Sequence, residues 1–267
     1  MKKINVLSVA AGLLILGSAM FAQTADEVMK TSCNLSVPDY SSCVLLMDII
    51  DKSGTVLEHR IINQNGNRKN GITQTVFDFR TPASVKDTRI LQAQKPNRED
   101  DKWIFLPSLK TTRRIASAER SKSFVGSEYT YNDMTIRKFE DDAHEMLDAN
   151  ASITVGGKKE NVWKIKSTPV ANKNVEFAYI IKYIDKVSYL PLMEEYYDKS
   201  DKMIKLRTVP KHEEVVGETG KKYQMRRESI MENKVTGRVT RVVVDKFTLD
   251  KPISDRFFTQ NWLNTGK

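Results

Sequence analysis

The sequence predicts a mainly β protein with short helices, in which a curled antiparallel sheet forms a half-open, unclosed β-barrel. Segments of alternating apolar and polar residues recur along most of the chain, which is typical of strands with one buried face. Short turns rich in Gly, Asp and Ser join these segments, as expected for consecutive antiparallel strands. About ten or eleven strands in one sheet are enough for it to curl, so something must cover its apolar face.

The composition is that of a folded globular protein. The chain has 267 residues, of which 40% are hydrophobic, and its 43 Lys and Arg against 34 Asp and Glu give a formal charge of +9. A mean hydropathy of −0.46 excludes a polytopic membrane protein, and the apolar residues spread through the chain exclude a disordered one. The basic charge favours either an anionic partner or simply a basic solvated surface.

The N-terminal residues have the pattern of a secretory signal peptide. Two lysines precede an apolar run over Val6–Met20, and small residues lead to Ala22. We expect cleavage near Ala22, with cleavage after Ala19 or an uncleaved anchor as alternatives. Residues 1–22 are then the signal peptide, and residues 23–267 form one half-barrel domain of a periplasmic protein, either soluble or peripheral to a membrane. After export, the anionic partner is a lipid headgroup or membrane surface rather than nucleic acid.

The first element of the mature chain is a predicted helix over Thr24–Cys33. Thr24 is a good N-cap, acidic residues fill the first turn, and Ala25, Val28 and Met29 recur at helical spacing. Cys33 and Cys43 are the only two cysteines, and in an oxidising compartment we expect them to form a disulfide. A redox or metal pair is the alternative, but it lacks a Cys-x-x-Cys spacing and a nearby His.

The predicted strands follow in two groups, each beginning with a hairpin. The first hairpin turns at Asp51–Gly54, and the second turns at Gly156–Lys158. The first group comprises Val44–Ile50, Val56–Ile62, Thr73–Phe79, Lys86–Gln94 and Trp103–Pro107. The second comprises Ser152–Val155, Val162–Lys166, Ala178–Ile184, Pro191–Tyr197, Lys202–Val209, Lys222–Met231 and Arg238–Phe247. Between the groups, Ala116–Phe124 and Tyr131–Asp141 lack strand alternation and are predicted to form short helices that cover the sheet.

Enzyme motifs are missing from the sequence. It has no Gly-x-Ser-x-Gly, no His-Glu-x-x-His and no phosphate-binding glycine loop. His59, His144 and His212 lie far apart, so we expect no metal site and no cofactor beyond a bound lipid or fatty acid. Acidic turns could collect Ca²⁺, but such turns are usually just solvated; they contain Asp141, Asp142, Glu145, Asp198 and Asp201. The fold could still bring a His to a Ser, which keeps a lipid-ester hydrolase as an alternative. A module that docks on envelope proteins through a sheet edge is another.

One long stretch carries a specific pattern. A Trp, a Leu-Pro and paired arginines over Asp101–Ala116 are followed by Phe-x-Gly-Ser and an aromatic before Asn-Asp over Ser123–Asp133. This stretch resembles the signature of the bacterial outer-membrane lipoprotein-sorting family, relatives of the LolA periplasmic lipoprotein carriers. Tyr196–Asp198 with Lys205 in the next strand, and the late strand Val239–Leu249, also fit. The resemblance covers most of the mature chain and is closer to the broader sorting group than to LolA itself.

The resemblance implies a function as well as a fold. Its members use an apolar concave face under lid helices to hold acyl chains while these cross the periplasm toward the outer membrane. The implied partners are lipoproteins or phospholipids, together with inner- and outer-membrane lipid-transfer proteins. A homodimer through the sheet edge would double the cavity. Burial of about 0.8 kcal/mol per methylene keeps such a lipid out of water, so a carrier must offer a comparable apolar cavity.

These expectations single out a small set of candidate residues. Acyl contacts are expected from aromatic side chains, for which a plain core role is the alternative: Phe77, Phe79, Trp103, Phe105 and Phe124. Arg113 and Arg114 are candidates for a lid latch or a headgroup contact, since a guanidinium suits carboxylate, carbonyl and phosphate acceptors; a structural ion pair or solvated loop is the alternative. Gly126 is expected to provide a positive φ or a close backbone approach, with Ser127 as a cap.

Overall fold

A computed structural model describes residues 23–95, 99–135, 137–170 and 175–267. The predicted signal peptide, residues 1–22, lies outside the described residues. The strands are β1 Tyr40–Ile50, β2 Val56–Lys69, β3 Ile72–Thr81, β4 Arg89–Ala93, β5 Asp101–Leu106, β6 Thr111–Arg114, β7 Asp142–Val155, β8 Lys158–Pro169, β9 Tyr179–Asp185, β10 Pro191–Tyr197, β11 Met203–Val216, β12 Lys222–Asn233 and β13 Val239–Leu249. Two α-helices flank them, α1 Ala25–Cys33 and α2 Gln260–Thr265, and three 3₁₀ turns lie at Ser117–Glu119, Phe139–Asp141 and Asp255–Phe258.

All thirteen strands of the described residues form one antiparallel sheet. Its order is β6-β5-β4-β3-β2-β1-β13-β12-β11-β10-β9-β8-β7, so β6 and β7 are its unpaired edges and the barrel is not closed. Strand β1 pairs with both β2 and β13, which joins the N-terminal and C-terminal halves. The predicted fold class, a curled half-barrel built from antiparallel strands, is confirmed, with more strands than the expected ten or eleven.

Local sequence explains the hairpins. Between β1 and β2, Asp51 Oδ1 accepts hydrogen bonds from the backbone N–H groups of Ser53 (2.8 Å) and Thr55 (2.9 Å), while Gly54 has φ +87°. Between β7 and β8, Gly156 and Gly157 both have positive φ. These are backbone conformations that glycine adopts without the strain of a Cβ atom. Both predicted hairpin turns are confirmed.

Helix α1 forms as its cap predicts. The Thr24 side chain accepts from Glu27 N, and the Glu27 carboxylate accepts from Thr24 N at 2.8 Å, which makes a complete capping box. Such reciprocal bonds satisfy two of the backbone donors that a helix start leaves free. Val28 and Met29 are buried against Trp163 and its neighbours on β8 and β9. The helix therefore lies on the inner face of the C-terminal half of the sheet.

The two faces of the sheet are distinguished by their side chains. On the outer face a ladder of charged groups crosses five strands, with contacts of 2.6 to 3.5 Å; it comprises Lys211, Glu228, Arg241, Asp48 and His59. The inner face carries the main apolar cluster, formed by β1–β5, β9, β10 and β12 together with the segment that follows β6. This cluster includes Met47, Ile62, Phe79, Ile180 and Met231.

The C-terminal residues cover the outer face of the N-terminal half. Phe258, Trp262 and Leu263 pack against side chains of β3–β5. Arg89 of β4 donates to the carbonyl oxygens of Leu263 (2.6 Å) and Asn264 (3.1 Å), so it occupies free acceptors at the end of α2. The sequence alone did not predict this helix.

Two further expectations are wrong. Cys33 and Cys43 are free thiols: Cys33 packs into the cluster under α1, whereas Cys43 on β1 packs against the main inner cluster. The predicted helices over Ala116–Phe124 and Tyr131–Asp141 are replaced, in their described residues, by turns with two short 3₁₀ segments. Backbone N–H groups there bond three residues back, as in Lys122 N to Glu119 O and Thr135 N to Asn132 O, rather than four residues back as in an α-helix.

Candidate functional site

A cavity of about 440 Å³ lies between the inner face of the sheet and two covering elements. Those elements are α1 and residues 115–135, which we call the lid segment. The volume is within the range of about 300–1,000 Å³ found for small-molecule sites. The sheet, α1 and the lid segment all contribute lining side chains. The curl of the sheet thus creates a concave space that a flat sheet would not have.

One part of the cavity wall is apolar. Phe77 and Phe124 meet edge to face with ring centroids 5.3 Å apart, and Phe124 makes a similar contact with Tyr131 at 5.6 Å. Aliphatic side chains from β1, β2 and β13 continue this wall: Leu45, Met47, Ile62, Val242 and Val244. Such a wall has no hydrogen-bonding group to offer, so it suits a hydrocarbon chain.

The lid segment is held down by buried aromatic and aliphatic side chains. Ile115 and Phe124 are each 1% exposed, and Tyr129 is 4% exposed. Hydrogen bonds to four strands add to this packing: Tyr129 Oη with Ser229 Oγ (2.8 Å), Glu128 N to Thr240 Oγ1 (2.9 Å), Arg60 Nη1 to Val125 O (2.6 Å), and Lys205 Nζ to Asp133 Oδ2 (2.7 Å). The segment is therefore a tightly docked roof over the inner face.

Lys205 is the main ionic anchor of this roof. Its Nζ lies 2.7 Å from both Asp133 Oδ2 in the lid segment and Glu176 Oε1 before β9. Burial alone lowers the pKa of a lysine, but the two carboxylates reverse this and raise the pKa of Lys205 above its ordinary value. Lys205 therefore stays charged and joins three separate parts of the chain.

Lys102 anchors the end of the lid segment through neutral acceptors. Its buried Nζ donates to Gln92 Oε1 (2.6 Å), to the Tyr131 carbonyl oxygen (2.7 Å) and to Thr135 Oγ1. Burial lowers the pKa of Lys102 to about 8, since none of these partners compensates the buried charge. The contact thus ties β4 and β5 to the lid segment in a pH-dependent way.

A second part of the cavity wall is charged. Arg207 on β11 forms a buried ion pair with Glu194 on β10. Asp142 at the start of β7 accepts from Arg137, and Lys182 Nζ lies 3.7 Å from it. Arg226 on β12 also lines the cavity. The cavity therefore has an amphipathic wall, with aromatic and aliphatic groups in one part and guanidinium groups in another.

The predicted acyl-contact residues divide between the two faces. Phe77 and Phe124 line the cavity, and Phe79 is fully buried in the same cluster without reaching the cavity wall. Trp103 and Phe105 belong instead to the outer-face cluster under α2, so their expected place in the cavity is wrong. Side chains alternate along a strand, and in β5 it is Ile104 that faces inward.

The paired arginines lie at the sheet edge. Arg113 Nη1 is 2.8 Å from Glu119 in the lid segment, and Arg114 Nη2 is 2.7 Å from Asp101. Both guanidinium side chains are about half exposed, and neither lines the cavity. The surface ion pair of Arg113 with Glu119 joins β6 to the lid segment. Arg113 therefore lies where a lid latch, one of its expected roles, would be.

Gly126 and Ser127 shape the turn of the lid segment. Gly126 has φ +78°, which agrees with the expected positive φ. Ser127 is 3% exposed, and its N–H donates to the Phe124 carbonyl oxygen at 3.1 Å. No helix of the described residues begins there, so the expected role of Ser127 as a helix cap is wrong.

One histidine does meet a serine. His144 Nδ1 lies 2.9 Å from Ser167 Oγ, and Nε2 lies 3.2 Å from the Phe139 carbonyl oxygen, to which it can only donate. Burial lowers the pKa of His144, which favours the neutral ring. Ser167 is 0% exposed, and neither residue lines the cavity. A chain held in the cavity therefore has no access to this hydroxyl.

The described residues contain neither a metal-ligating cluster nor a helix suited to a membrane. No group of three or more His, Cys, Asp or Glu side chains is placed to hold a metal ion in these ranges. Within the same residues, no helix has both the length and the apolar character needed to cross a membrane.

Sequence reasoning missed several charged residues of the site. Lys102, Arg207 and Arg226 were not singled out, and Lys205 was noted only as part of the family pattern. A charged residue in an alternating strand is normally assigned to the solvent face. One signal was available in the sequences of β10 and β11. In these strands Glu194, Lys205 and Arg207 alternate in step with apolar residues that face inward.

The architecture defines the class of the protein: one unclosed antiparallel sheet that curls around a roofed cavity. The model of a family of uncharacterized proteins matches residues 71–265, and the chain belongs to this family. Its structure is similar to that of an outer membrane lipoprotein-sorting protein domain from Vibrio parahaemolyticus, with a TM-score of 0.78, 22% identity, and coverage of 90% of this chain and 98% of that one.

Two further solved structures share the fold. A DUF1329 family protein from Desulfovibrio piger has a TM-score of 0.79 at 21% identity, over 90% of this chain and 97% of that one. A LolA superfamily protein from Nitrosomonas europaea has a TM-score of 0.64 at 18% identity, over 90% and 100%. Among curated proteins, none matches the sequence. The expected likeness to lipoprotein-sorting and LolA-like proteins is therefore confirmed at the level of fold.

Proposed function

We propose that the protein is a periplasmic carrier that binds acyl chains of lipoproteins or other lipids and passes them toward the outer membrane. The observation that carries this proposal is the roofed cavity, whose wall is formed by Phe77, Phe124 and aliphatic residues of three strands. The apolar part of such a wall favours hydrocarbon over water, because it gains contacts that water cannot supply.

The lid segment supplies the conformational step that a carrier needs. It is a turn-rich stretch held by a limited number of identifiable contacts, among them Lys205 with Asp133 and Tyr129 with Ser229. Opening the lid segment would break these contacts and expose buried side chains such as Phe124, so a membrane or partner surface must favour the open state through differential binding. Cargo could then enter and leave without any covalent step.

The envelope location of this function is supported by two observations. The N-terminal residues have the composition of an export signal, and the fold is shared with a structure described as an outer membrane lipoprotein-sorting domain. A lipid or lipoprotein would be received at one membrane and released at the other.

The test is mass spectrometry of the protein under non-denaturing conditions after purification without detergent, followed by organic extraction. A carrier shows stoichiometric acyl-bearing mass, or takes up an added phospholipid or lipopeptide at one molecule per chain. A protein that arrives empty and takes up neither would contradict the proposal. The same samples are assayed for free fatty acid, because release of fatty acid from added phospholipid would support a hydrolase instead.

The hydrolase alternative has one geometric observation in its favour, the His144–Ser167 contact at 2.9 Å. Burial of Ser167 outside the cavity opposes it. A Ser167→Ala variant separates the two functions. Acyl binding by a carrier is unchanged in this variant, whereas fatty acid release by a hydrolase is lost.

A further inference from the structure

On the inner face of the C-terminal half of the sheet, the described cationic side chains pair with carboxylates, with Arg226 as the exception. Most of the cations there lie within 4 Å of a carboxylate, in the pairs Arg137 and Lys182 with Asp142, Lys205 with Asp133 and Glu176, and Arg207 with Glu194. Within the ranges that the structure describes, the side chain of Arg226 makes neither a hydrogen bond nor an ion pair. Its half-buried side chain lines the cavity.

A β-bulge places Arg226 inside. Lys211 on β11 pairs with Glu228 on β12, and the next residue, His212, pairs with Arg226, so Arg227 is an extra residue in the ladder. Glu228 belongs to the charged ladder on the outer face. Regular alternation would put Arg226 on that same outer face, where the ladder contains the carboxylates of Glu228 and Asp48. The bulge reverses the phase, which is how bulges redirect side chains next to functional sites.

The charge of Arg226 is buried beside a second guanidinium and has no carboxylate partner of its own among the described residues. Burial and the neighbouring Arg207 lower the pKa of Arg226 to about 10, so the guanidinium is still charged at neutral pH. A charged donor without an acceptor in a cavity wall is rare in native proteins and calls for an explanation such as a ligand.

Hydrogen-bonding and apolar groups share one space. Ser229 lies three residues after Arg226 on β12, and its hydroxyl is 2.8 Å from Tyr129 Oη in the lid segment. Val242 and Val244 of the adjacent strand β13, together with Phe124, form the apolar wall of the same cavity. A molecule with an anionic end and a hydrocarbon chain can therefore satisfy both parts of the wall at once.

We propose that Arg226, assisted by the Ser229 hydroxyl, binds the acidic headgroup of the acyl ligand. The headgroup is a carboxylate or phosphate, and the attached chain lies along Phe77 and Phe124. This inference rests on the proposed carrier function and narrows its cargo to acidic amphiphiles. Neutral lipids of the same chain length enter the cavity without this contact and bind more weakly.

Isothermal titration calorimetry with matched probes tests the proposal. The probes are laurate, the neutral 1-monolauroylglycerol with the same chain, and inorganic phosphate without a chain. They are titrated into the mature protein and into Arg226→Met, Arg226→Lys and Lys211→Met. Lys211 is the matched control because it lies on the neighbouring strand, has 71% of its side chain exposed, and is on the outer face. Thermal unfolding of each ligand-free variant is measured alongside.

The proposal predicts that Arg226→Met weakens laurate binding by about tenfold or more. Monolauroylglycerol binding and the Lys211→Met control change by less than about twofold. Arg226→Lys keeps most of the preference for laurate. Ligand-free Arg226→Met unfolds at the same or a higher temperature than the parent, because the variant no longer buries an unpaired charge.

Other outcomes overturn the proposal in distinguishable ways. If Arg226→Met weakens both acyl probes equally, or unfolds at a clearly lower temperature, Arg226 has a structural role while the carrier function stands. Phosphate binding as tight as that of laurate would assign the site to a free anion. Failure of both acyl probes to bind the parent protein would contradict the carrier function itself.

Discussion

Replacement of Lys205 by Met should remove the main ionic anchor of the lid segment. The side chain is 8% exposed, and it serves two carboxylates, Asp133 (5% exposed) and Glu176 (19% exposed), each at 2.7 Å. Methionine preserves the aliphatic stem but leaves both carboxylates without their cation. Removing one partner of a buried ion pair costs about 3–5 kcal/mol. For a chain of this size that corresponds to a fall in Tm of about 6–20 °C.

Urea unfolding followed by circular dichroism measures this change, with hydrogen exchange by mass spectrometry to locate it. Relative to the parent protein, we expect hydrogen exchange to increase more in the lid segment than in β1 and β13 at the centre of the sheet. The reason is that the lid segment loses its contact with β11. Lys211→Met removes an exposed outer-face lysine and should cost less than about 1 kcal/mol. Adding Asp133→Asn and Glu176→Gln to Lys205→Met should restore part of the lost stability.

The result that would refute this reasoning is a loss below about 1 kcal/mol in Lys205→Met, equal to that in the Lys211→Met control. Uniform exchange across the sheet, with no preference for the lid segment, would equally show that Lys205 does not hold the roof in place.

Three further predictions follow from the fold and the cavity. A Cβ at Gly156 would lie 2.1 Å from the Pro210 carbonyl oxygen, whereas one at Gly157 meets nothing within 4 Å. Because both glycines have positive φ, the clash alone should make Gly156→Ala less stable than Gly157→Ala by about 1–3 kcal/mol. Equal losses of stability in urea unfolding would contradict the clash. The folded pKa of Lys102, about 8, lies below its ordinary value of 10.5. The unfolded chain therefore binds more protons between these values, and stability should rise with pH from 8 to 9.5 by at most about 1.4 kcal/mol per unit, a slope that Lys102→Met should lose. Phe124→Ala should weaken laurate binding, because Phe124 lines the cavity. Phe105→Ala on the outer face should lower stability and leave the affinity for laurate unchanged. Equal effects of the two variants on laurate affinity would contradict the placement of Phe124 on the inner face and Phe105 on the outer face.

The sequence predicted the sheet because alternation and turn chemistry are local properties. The turns at Asp51–Gly54 and at Gly156–Lys158 and the cap at Thr24 depend on residues within five positions of one another. The lid was placed correctly after β6, yet its conformation depends on distant partners such as Ser229 and Thr240. The contacts with Thr240 and Ser229 span 112 and 100 residues, so no local pattern could specify turns rather than helices.

The candidate site was predicted only in part for a related reason. Phe77 and Phe124 were found because aromatic residues in strands and lids are natural cavity walls. Trp103 and Phe105 were assigned to the wrong face because an apolar run such as that of β5 has buried neighbours on both sides, one being α2. Arg226 depends on a bulge that single-residue patterns do not reveal.

The central claim, that the cavity holds an acyl chain, is tested most directly by photo-crosslinking. A fatty acid with a diazirine at the end of its chain is bound to the mature protein, irradiated, and mapped by peptide mass spectrometry. The account predicts adducts on the inner wall at Phe77, Phe124, Val242 or Val244, with loss of labelling when unlabelled laurate competes. Adducts on the outer cluster of Trp103, Phe257 and Trp262, or labelling that laurate does not reduce, would contradict it.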